Sequence, residues 1–315
     1  MITDCRIRVG AEQAGKRADL VVADTFPGSS RSLIRMAFAN DWIRVNGRRC
    51  APSHSLAAGD VIEVERLYEV SDRRIIPRKD LPLQVLYEDD WLIAVDKPAG
   101  WPVHPVRVGE SHTLASALVA RYPECAGIGD PFFPAFVHRL DGDTSGVVLA
   151  ARSAAAHGRL REQFRRHMVT KEYAALVWGH PPAQGVLSGY LAHDRSRPGR
   201  MIAAPSPRTD SGRRWMWAET RFRVAARYAS HALLDIRITT GVTHQIRCQL
   251  AAAGFPVVGD QLYGGLRTDG TSSMRRHFLH ATGIVFRHPA DGRKIHIRSP
   301  LPPELRRILD RLNSE

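Results

Sequence analysis

FVHRLDGDTSGVVLAA, residues 136–151, sets His138, Arg139, Asp141, Asp143, Thr144 and Ser145 within eight positions, directly before an apolar run. That run is short and bounded by polar residues, which suits a buried strand. So much polarity at a strand start has three physical readings. It is a carboxylate active-site loop, a cation loop, or a turn whose Asx side chains satisfy their own backbone. Spacing tests the second. Asp141, Asp143, Ser145 and Gly146 copy the first half of a D-x-D-x-S-G calcium loop, but Leu149 stands at the ninth position and Arg152 at the twelfth. A cation there replaces the bidentate acid that the ion needs.

Around this loop, from Leu81 onward, short alternating or apolar runs predominate: LPLQVLYEDD, WLIAVDKPAG, SGVVLAARS, EYAALVWG, HALLDIRITTG and ATGIVFRHP. Helix candidates are fewer, at residues 113–121 and 154–166. The pattern predicts an α+β fold whose sheet is mixed and largely antiparallel. Residues 192–214, rich in Arg, Pro and Ser, read as a long basic loop, and internal repeats are absent. SDRRIIPRKD, residues 71–80, is dense in charge and interrupted by Pro77, so it reads as a linker between a domain at 1–70 and a catalytic domain at 81–315.

Within residues 1–70, a first helix starts near Asp19-Leu20. Ser29-Ser30-Arg31-Ser32 offers a cap for a second, in which Leu33, Ile34, Met36 and Phe38 make one apolar face. Trp42-Ile43-Arg44-Val45 alternates as a strand, Asn46-Gly47 signals a hairpin, and Gly59-Asp60 leads into Val61-Ile62-Glu63-Val64. This order, SRSLIRMAFANDWIRVNGRRCAPSHSLAAGDVIEVE, resembles the S4 RNA-binding domain. The resemblance implies that the face around the SRS helix grips structured RNA, with Arg31, Arg35, Arg44, Arg48 and Arg49 supplying phosphate contacts.

Composition agrees with a polyanion partner. Across 315 residues Lys and Arg outnumber Asp and Glu by 45 to 32, for a formal charge of +13, and only five of the cations are lysine. Guanidinium matches phosphate oxygens and stacks on bases, so an arginine-dominated basic chain points to nucleic acid. Cys5, Cys50, Cys125 and Cys248 lie far apart without a C-x-x-C pair, so neither a zinc ribbon nor a disulfide framework is expected. His244 and Cys248 stand four apart, but a lone pair makes no metal site. No secretory leader or membrane-length apolar run is legible, and a cytoplasmic, soluble protein that does not bind membranes is expected.

The loop itself spells H-R-L-D-x-x-T-S-G, and this resembles the signature of the RluA-type pseudouridine synthases, which include the RluC and RluD subgroups. VLYEDDWLIAVDKPAGWPVHP is similar to that family's opening strands and K-P-x-G turn, VTKEYAALVWG to its K-x-Y-x-A segment, TGVTHQIRCQLAAAGFPVVGDQLYGG to its T-G-R-x-H-Q-I-R and G-D-x-x-Y-G block, and FLHATGIVFRHP to its L-H-A segment. The resemblance implies that Asp141 is the essential carboxylate. It further implies that Arg139 helps displace the target base, Tyr173 stacks on the uracil, and Arg247 pairs with Asp141. It also implies that no cofactor and no metal take part. Val242 stands where the family has arginine.

The chemistry is compatible. Converting uridine to pseudouridine breaks N1–C1′, turns the uracil and joins C5 to C1′ without redox change, which needs an ionised carboxylate in a closed pocket. A guanidinium nearby holds such an acid charged, and Arg247 suits that task. Arginine can fill the gap left by an extruded base while an aromatic ring receives it. His138, His244 and His280 have apolar neighbours and read as hydrogen-bonded structural residues.

The expectation is an RNA pseudouridine synthase acting on structured RNA, most simply large-subunit ribosomal RNA given the S4-like start. It is taken as a monomer by default, and Arg195, Arg197 and Arg200 of the basic loop add to RNA affinity. The rival from another class is a non-catalytic RNA-binding or ribosome-assembly factor. A hydrolase using Asp141 and Asp143 as paired acids is a third reading. The target uridine, ribosomal or transfer RNA, and free RNA or particle are not legible.

Overall fold

The computed structural model describes residues 1–314 apart from 73, 208–211, 265–273 and 275. The chain divides into two units, residues 1–76 with 106–110, and residues 77–105 with 111–315.

In the first unit, α1 (Ala18–Thr25) and α2 (Arg31–Ala39) lie on a four-stranded sheet of order β1-β4-β2-β3, formed by β1 (Ile2–Arg8), β2 (Ile43–Val45), β3 (Arg48–Arg49) and β4 (Val61–Leu67). Ser30 caps α2 through the Leu33 N–H at 3.4 Å, and the helix buries Leu33, Ile34, Ala37 and Phe38. Ile34, Ala37 and Phe38 share one core cluster with Val21, Val22, Ile43, Ile62, Val64 and Leu67, each of which contributes about 1.5–3 kcal/mol when fully buried. Asn46 and Gly47 both take positive φ, as a two-residue I′ hairpin turn requires. Sequence pattern does not reveal β1, because its half-buried residues Ile2, Cys5 and Ile7 do not alternate strictly: the chain turns at Asp4, whose φ is 52°, while the register with β4 stays unshifted.

The second unit is built on a ten-stranded sheet, counted among the described residues. Its strands are β5 (Gln84–Glu88), β6 (Leu92–Lys97), β9 (Ser145–Ala151), β10 (Thr170–Trp178), β11 (Gln184–His193), β12 (Met201–Ala204), β13 (Met216–Arg227), β14 (His231–Ile238), β15 (Leu279–Arg287) and β16 (Lys294–Arg298); β7 (Gly129–Asp130) and β8 (Phe133–Pro134) form a separate small hairpin. The order is β12-β11-β13-β14-β10-β15-β9-β6-β5, with β16 paired to β15. Every pairing is antiparallel except β15 with β9, so the sheet is mixed and largely antiparallel, as the sequence predicts.

Helices α3 (Leu114–Arg121) and α4 (Ala154–Arg165) fall at the two expected places, capped by Thr113 and Ser153. Two more, α5 (Gln245–Ala252) and α6 (Pro303–Leu312), were not expected. In α5 the buried set includes Gln245, Arg247 and Gln249, so polar residues occupy the inner face and hide the helical period. The basic loop is corrected in part. Residues 201–204 of it form β12, because Met201 is buried against β11 and Tyr263; residues 208–211 lie outside the described ones, as does residue 73 of the expected linker.

The one parallel pairing positions the polar loop. His280 and Ala281 of β15 lie beside Ser145 and Gly146 of β9. Gly146 is at φ 117°, and a Cβ there would collide with the Ala281 carbonyl, so only glycine lets the strands approach at the loop's end.

Candidate active site

The loop 137–144 runs into β9 over a cleft of about 380 Å³, within the usual ~300–1,000 Å³ of small-molecule sites. Its other walls are Phe164 of α4 and His167 just after it, Lys171 and Tyr173 of β10, Ile238 at the end of β14, and residues 241–247 leading into α5. Asp141 stands in this cleft with its side chain 24% exposed.

The loop is pinned at several atoms. Lys97 is completely buried, and its ammonium donates to the carbonyls of Pro98 (2.8 Å), Trp101 (2.6 Å) and Gly142 (2.6 Å). Burial drives its pKa down to about 7, against the opposing pull of Asp143 and Asp141. Three carbonyl acceptors match the three N–H bonds of the charged form. Thr144 Oγ1 meets His277 Nε2 at 2.8 Å, and Ser145 Oγ meets His280 Nδ1 at 2.9 Å. Burial lowers both imidazoles to a pKa of about 4, so they work here as neutral hydrogen-bonding groups.

Arg247 reaches the loop from α5. Its Nη1 donates to Asp141 Oδ2 at 2.9 Å, while Nε and Nη2 fork onto Asp260 at 2.7 and 3.0 Å. Burial disfavours its charge, but Asp260 and Asp141 outweigh that and raise its pKa. Gln245 fixes the preceding turn, accepting from Thr240 Oγ1 at 2.9 Å and donating to the Glu219 carbonyl at 2.9 Å. His244, at φ 54°, carries Nδ1 3.1 Å from the Tyr263 hydroxyl and Nε2 3.8 Å from Asp141 Oδ2. Burial lowers its pKa, with Asp141 opposing.

Tyr173 is 7% exposed and faces the cleft, and burial followed by Asp141 raises its pKa, keeping the phenol neutral. Arg139 is exposed at the rim and donates to Thr243 Oγ1 at 3.0 Å. The structure therefore brings Asp141, Arg139, Tyr173 and Arg247 around one cleft. Val242 lines the same cleft and packs on the cluster of Leu191, Ala218 and Cys248, so its side chain serves the local core.

Asp143 is not part of this site. It lines a different cavity with Arg276 and His277, so the two loop carboxylates do not flank a common bond. Among the histidines, His280 is fully buried between Ser145 and Ser299, as expected of a structural residue. His138 accepts the Leu149 N–H at 3.0 Å and stacks on Phe164, and burial takes its pKa to about 3. Yet His138 and His244 both line the cleft.

The arginines proposed for RNA separate into groups. Arg31, Arg35, Arg44, Arg48 and Arg49 are exposed on the first unit, with Arg44 bonded to Asp41 at 2.8 Å. Arg195 and Arg197 are exposed between β11 and β12, while Arg200 packs over the Tyr263 ring at 5.5 Å and lines a second cavity. Sequence reasoning did not single out Lys97, Lys171, Asp260, Tyr263 or His277. Lys97 stands in the K-P-x-G turn, Lys171 in K-x-Y-x-A, and Asp260 and Tyr263 in G-D-x-x-Y-G, so membership in these motifs was the available signal. Among the described residues, no group of three or more His, Cys, Asp or Glu is placed to hold a metal ion, and no helix is long and apolar enough to cross a membrane.

Residues 91–252 match a family model described as RNA pseudouridylate synthase. The chain is 35% identical to the ribosomal large subunit pseudouridine synthase D of Xanthomonas campestris pv. campestris, over 96% of this chain and 90% of the relative. It is 30% identical to the protein of the same name from Salmonella typhimurium, over 98% and 94%. Among solved structures it resembles human RNA pseudouridylate synthase domain containing 4, with a TM-score of 0.57 and 25% identity over 73% of this chain and 93% of that one. Human RNA pseudouridylate synthase domain containing 1 gives 0.55 and 25% over 74% and 96%.

Proposed function

The chain belongs to the RNA pseudouridylate synthase family, and from that membership we propose that it isomerises uridine in large-subunit ribosomal RNA, with Asp141 as the reacting carboxylate. The relatives at 30–35% identity are named for the ribosomal large subunit and align over nearly the whole chain, which favours that substrate over transfer RNA. The observation that carries the site is the 2.9 Å bond from Arg247 to Asp141, in a cleft that also presents Tyr173.

In this reading the target uridine leaves its stack at a cost of a few kcal/mol, Arg139 occupies the gap, and Tyr173 receives the uracil. Arg247 pairs with Asp141 through Nη1 and sets a positive charge beside the carboxylate. The carboxylate acts on the ribose or base, the N1–C1′ bond breaks, and the cleft retains the detached uracil until C5 bonds to C1′, after which C5 loses its proton and N1 holds one in its place. The residues at 1–70 form an S4-like domain whose exposed arginines hold the RNA, joined by the linker at 71–80 to the catalytic domain at 81–315. The protein works as a monomer in the cytoplasm.

Purified protein incubated with large-subunit ribosomal RNA, free and in particles, tests the proposal by mapping of pseudouridine. The expected result is conversion at one or a few defined uridines, absent from the RNA of cells lacking the gene. No pseudouridine above the protein-free control in either substrate overturns it.

A further inference from the structure

We infer that Asp260 is a positioning residue that limits Arg247 to a single hydrogen bond with Asp141, leaving the other oxygen of that carboxylate free to react; this rests on the reading of Asp141 given above. Asp260 is completely buried in the turn after α5. Its Oδ2 accepts Arg247 Nε at 2.7 Å, and its Oδ1 accepts Arg247 Nη2 at 3.0 Å together with the backbone N–H groups of Leu262 (3.0 Å) and Tyr263 (3.1 Å). The turn is fixed by Gly259 at φ 77°, where a Cβ would strike the Arg276 carbonyl.

A guanidinium favours fork-to-fork pairing with a carboxylate. Here Asp260 takes that fork. What remains for Asp141 is Nη1, which binds Oδ2, the same oxygen that His244 Nε2 approaches to 3.8 Å. Among the described residues Oδ1 of Asp141 takes no hydrogen bond. Asp260 also shares the neutralisation of Arg247, so Asp141 is not its sole counter-charge.

Without Asp260, the buried guanidinium would turn its fork to Asp141, binding both oxygens and making the carboxylate a weaker base and nucleophile. The other ionisable groups that sense Asp141 are Lys97, Tyr173, His244 and His277, and of these His244 and His277 also sense Asp260, whose charge raises both against the lowering by burial.

The test is Asp260→Asn, which keeps an acceptor for the Leu262 and Tyr263 N–H groups and removes the charge. Turnover and KM are measured with ribosomal RNA from about pH 8 down to about pH 3, with circular dichroism checking the fold at each pH, a range that spans the ordinary aspartate pKa of about 3.9. The expected result is a fall in kcat of about 10- to 100-fold, KM unchanged within about twofold, and an acid limb moved to lower pH. An unchanged kcat overturns the inference. So does a lower kcat with the acid limb in its wild-type position, which would make Asp260 purely structural.

Asp141→Asn run alongside separates the two claims. If it is inactive while Asp260→Asn behaves as wild type, only the role of Asp260 falls; if it turns over normally, the reading of Asp141 falls. Should Asp260→Asn fail to fold, Arg247→Lys decides. Lysine offers Asp141 one bond and cannot fork, so activity should stay well above that of Arg247→Ala, and equal loss in the two overturns the inference.

Discussion

Arg247 and Arg31 are the same residue type placed in opposite surroundings. Arg247 is 9% exposed, and its guanidinium is divided between two aspartates; Arg31 and Arg35 stand exposed one turn apart on α2. In the cleft a charge acts through fixed partners in a low-dielectric setting, where each bond is strong and each lost partner is costly. On the exposed helix a charge acts by number and position against a polyanion, and any one of them is worth little. Substitutions in the two regions should therefore differ in size and in what they change.

The largest effect belongs to Arg247→Ala. It strands the buried Asp260 and removes the partner of Asp141, so urea denaturation should show a loss of about 3–5 kcal/mol, and single-turnover assays a rate lower by more than about 100-fold. An unaltered rate would mean that the pairing has no bearing on turnover. Next comes Lys97→Met, which removes the donor shared by the Pro98, Trp101 and Gly142 carbonyls and leaves the Gly142 oxygen only the Gly100 N–H, for about 1–3 kcal/mol. Because one of them is Gly142, beside Asp141, turnover should fall as well as stability. A stability loss with full activity would show that the loop holds its shape without this anchor.

His277 and His280 give a pH signature. Their folded pKa values of about 4 lie below the ordinary 6.5, so their contribution is fully present above pH 6.5 and is lost as pH falls toward 4. The unfolding free energy from urea denaturation should drop across that window, by about 1–3 kcal/mol per histidine. His277→Gln should flatten the drop, and an equally steep curve in the variant would place the acid sensitivity elsewhere. The smallest effect is expected on the exposed helix. Arg31→Ala or Arg35→Ala should weaken RNA binding a few-fold, reduce the salt slope by about 1, and leave kcat at saturating RNA unchanged. A large fall in kcat would remove the contrast between the two regions.

This contrast also explains what was legible in the sequence. Local signals carried well: the Ser30 cap, the Asn46-Gly47 turn, and the helices begun by Thr113 and Ser153 are each set by residues within one turn of chain. The resemblance to the RluA-type family implied Asp141, Arg139, Tyr173 and Arg247, which the fold gathers around one cleft. What escaped was tertiary. Asp260 and Tyr263 lie 13 and 16 positions beyond Arg247, and their meaning comes from burial and from bonds that no local pattern encodes. His244 read as a structural residue because its neighbours are apolar, yet its ring faces Asp141. Helix α5 hid for the same reason, since its inward side chains are polar and partnered across the sheet.

A crystal structure of the Asp141→Asn variant bound to a uridine-bearing ribosomal RNA fragment measures most directly whether an extruded nucleoside meets this acid. The target uridine should lie out of its stack in the cleft, its uracil against Tyr173, and its ribose within about 3.5 Å of residue 141. RNA bound with every uridine stacked, or with the extruded base in a cavity that Asp141 does not line, would contradict it.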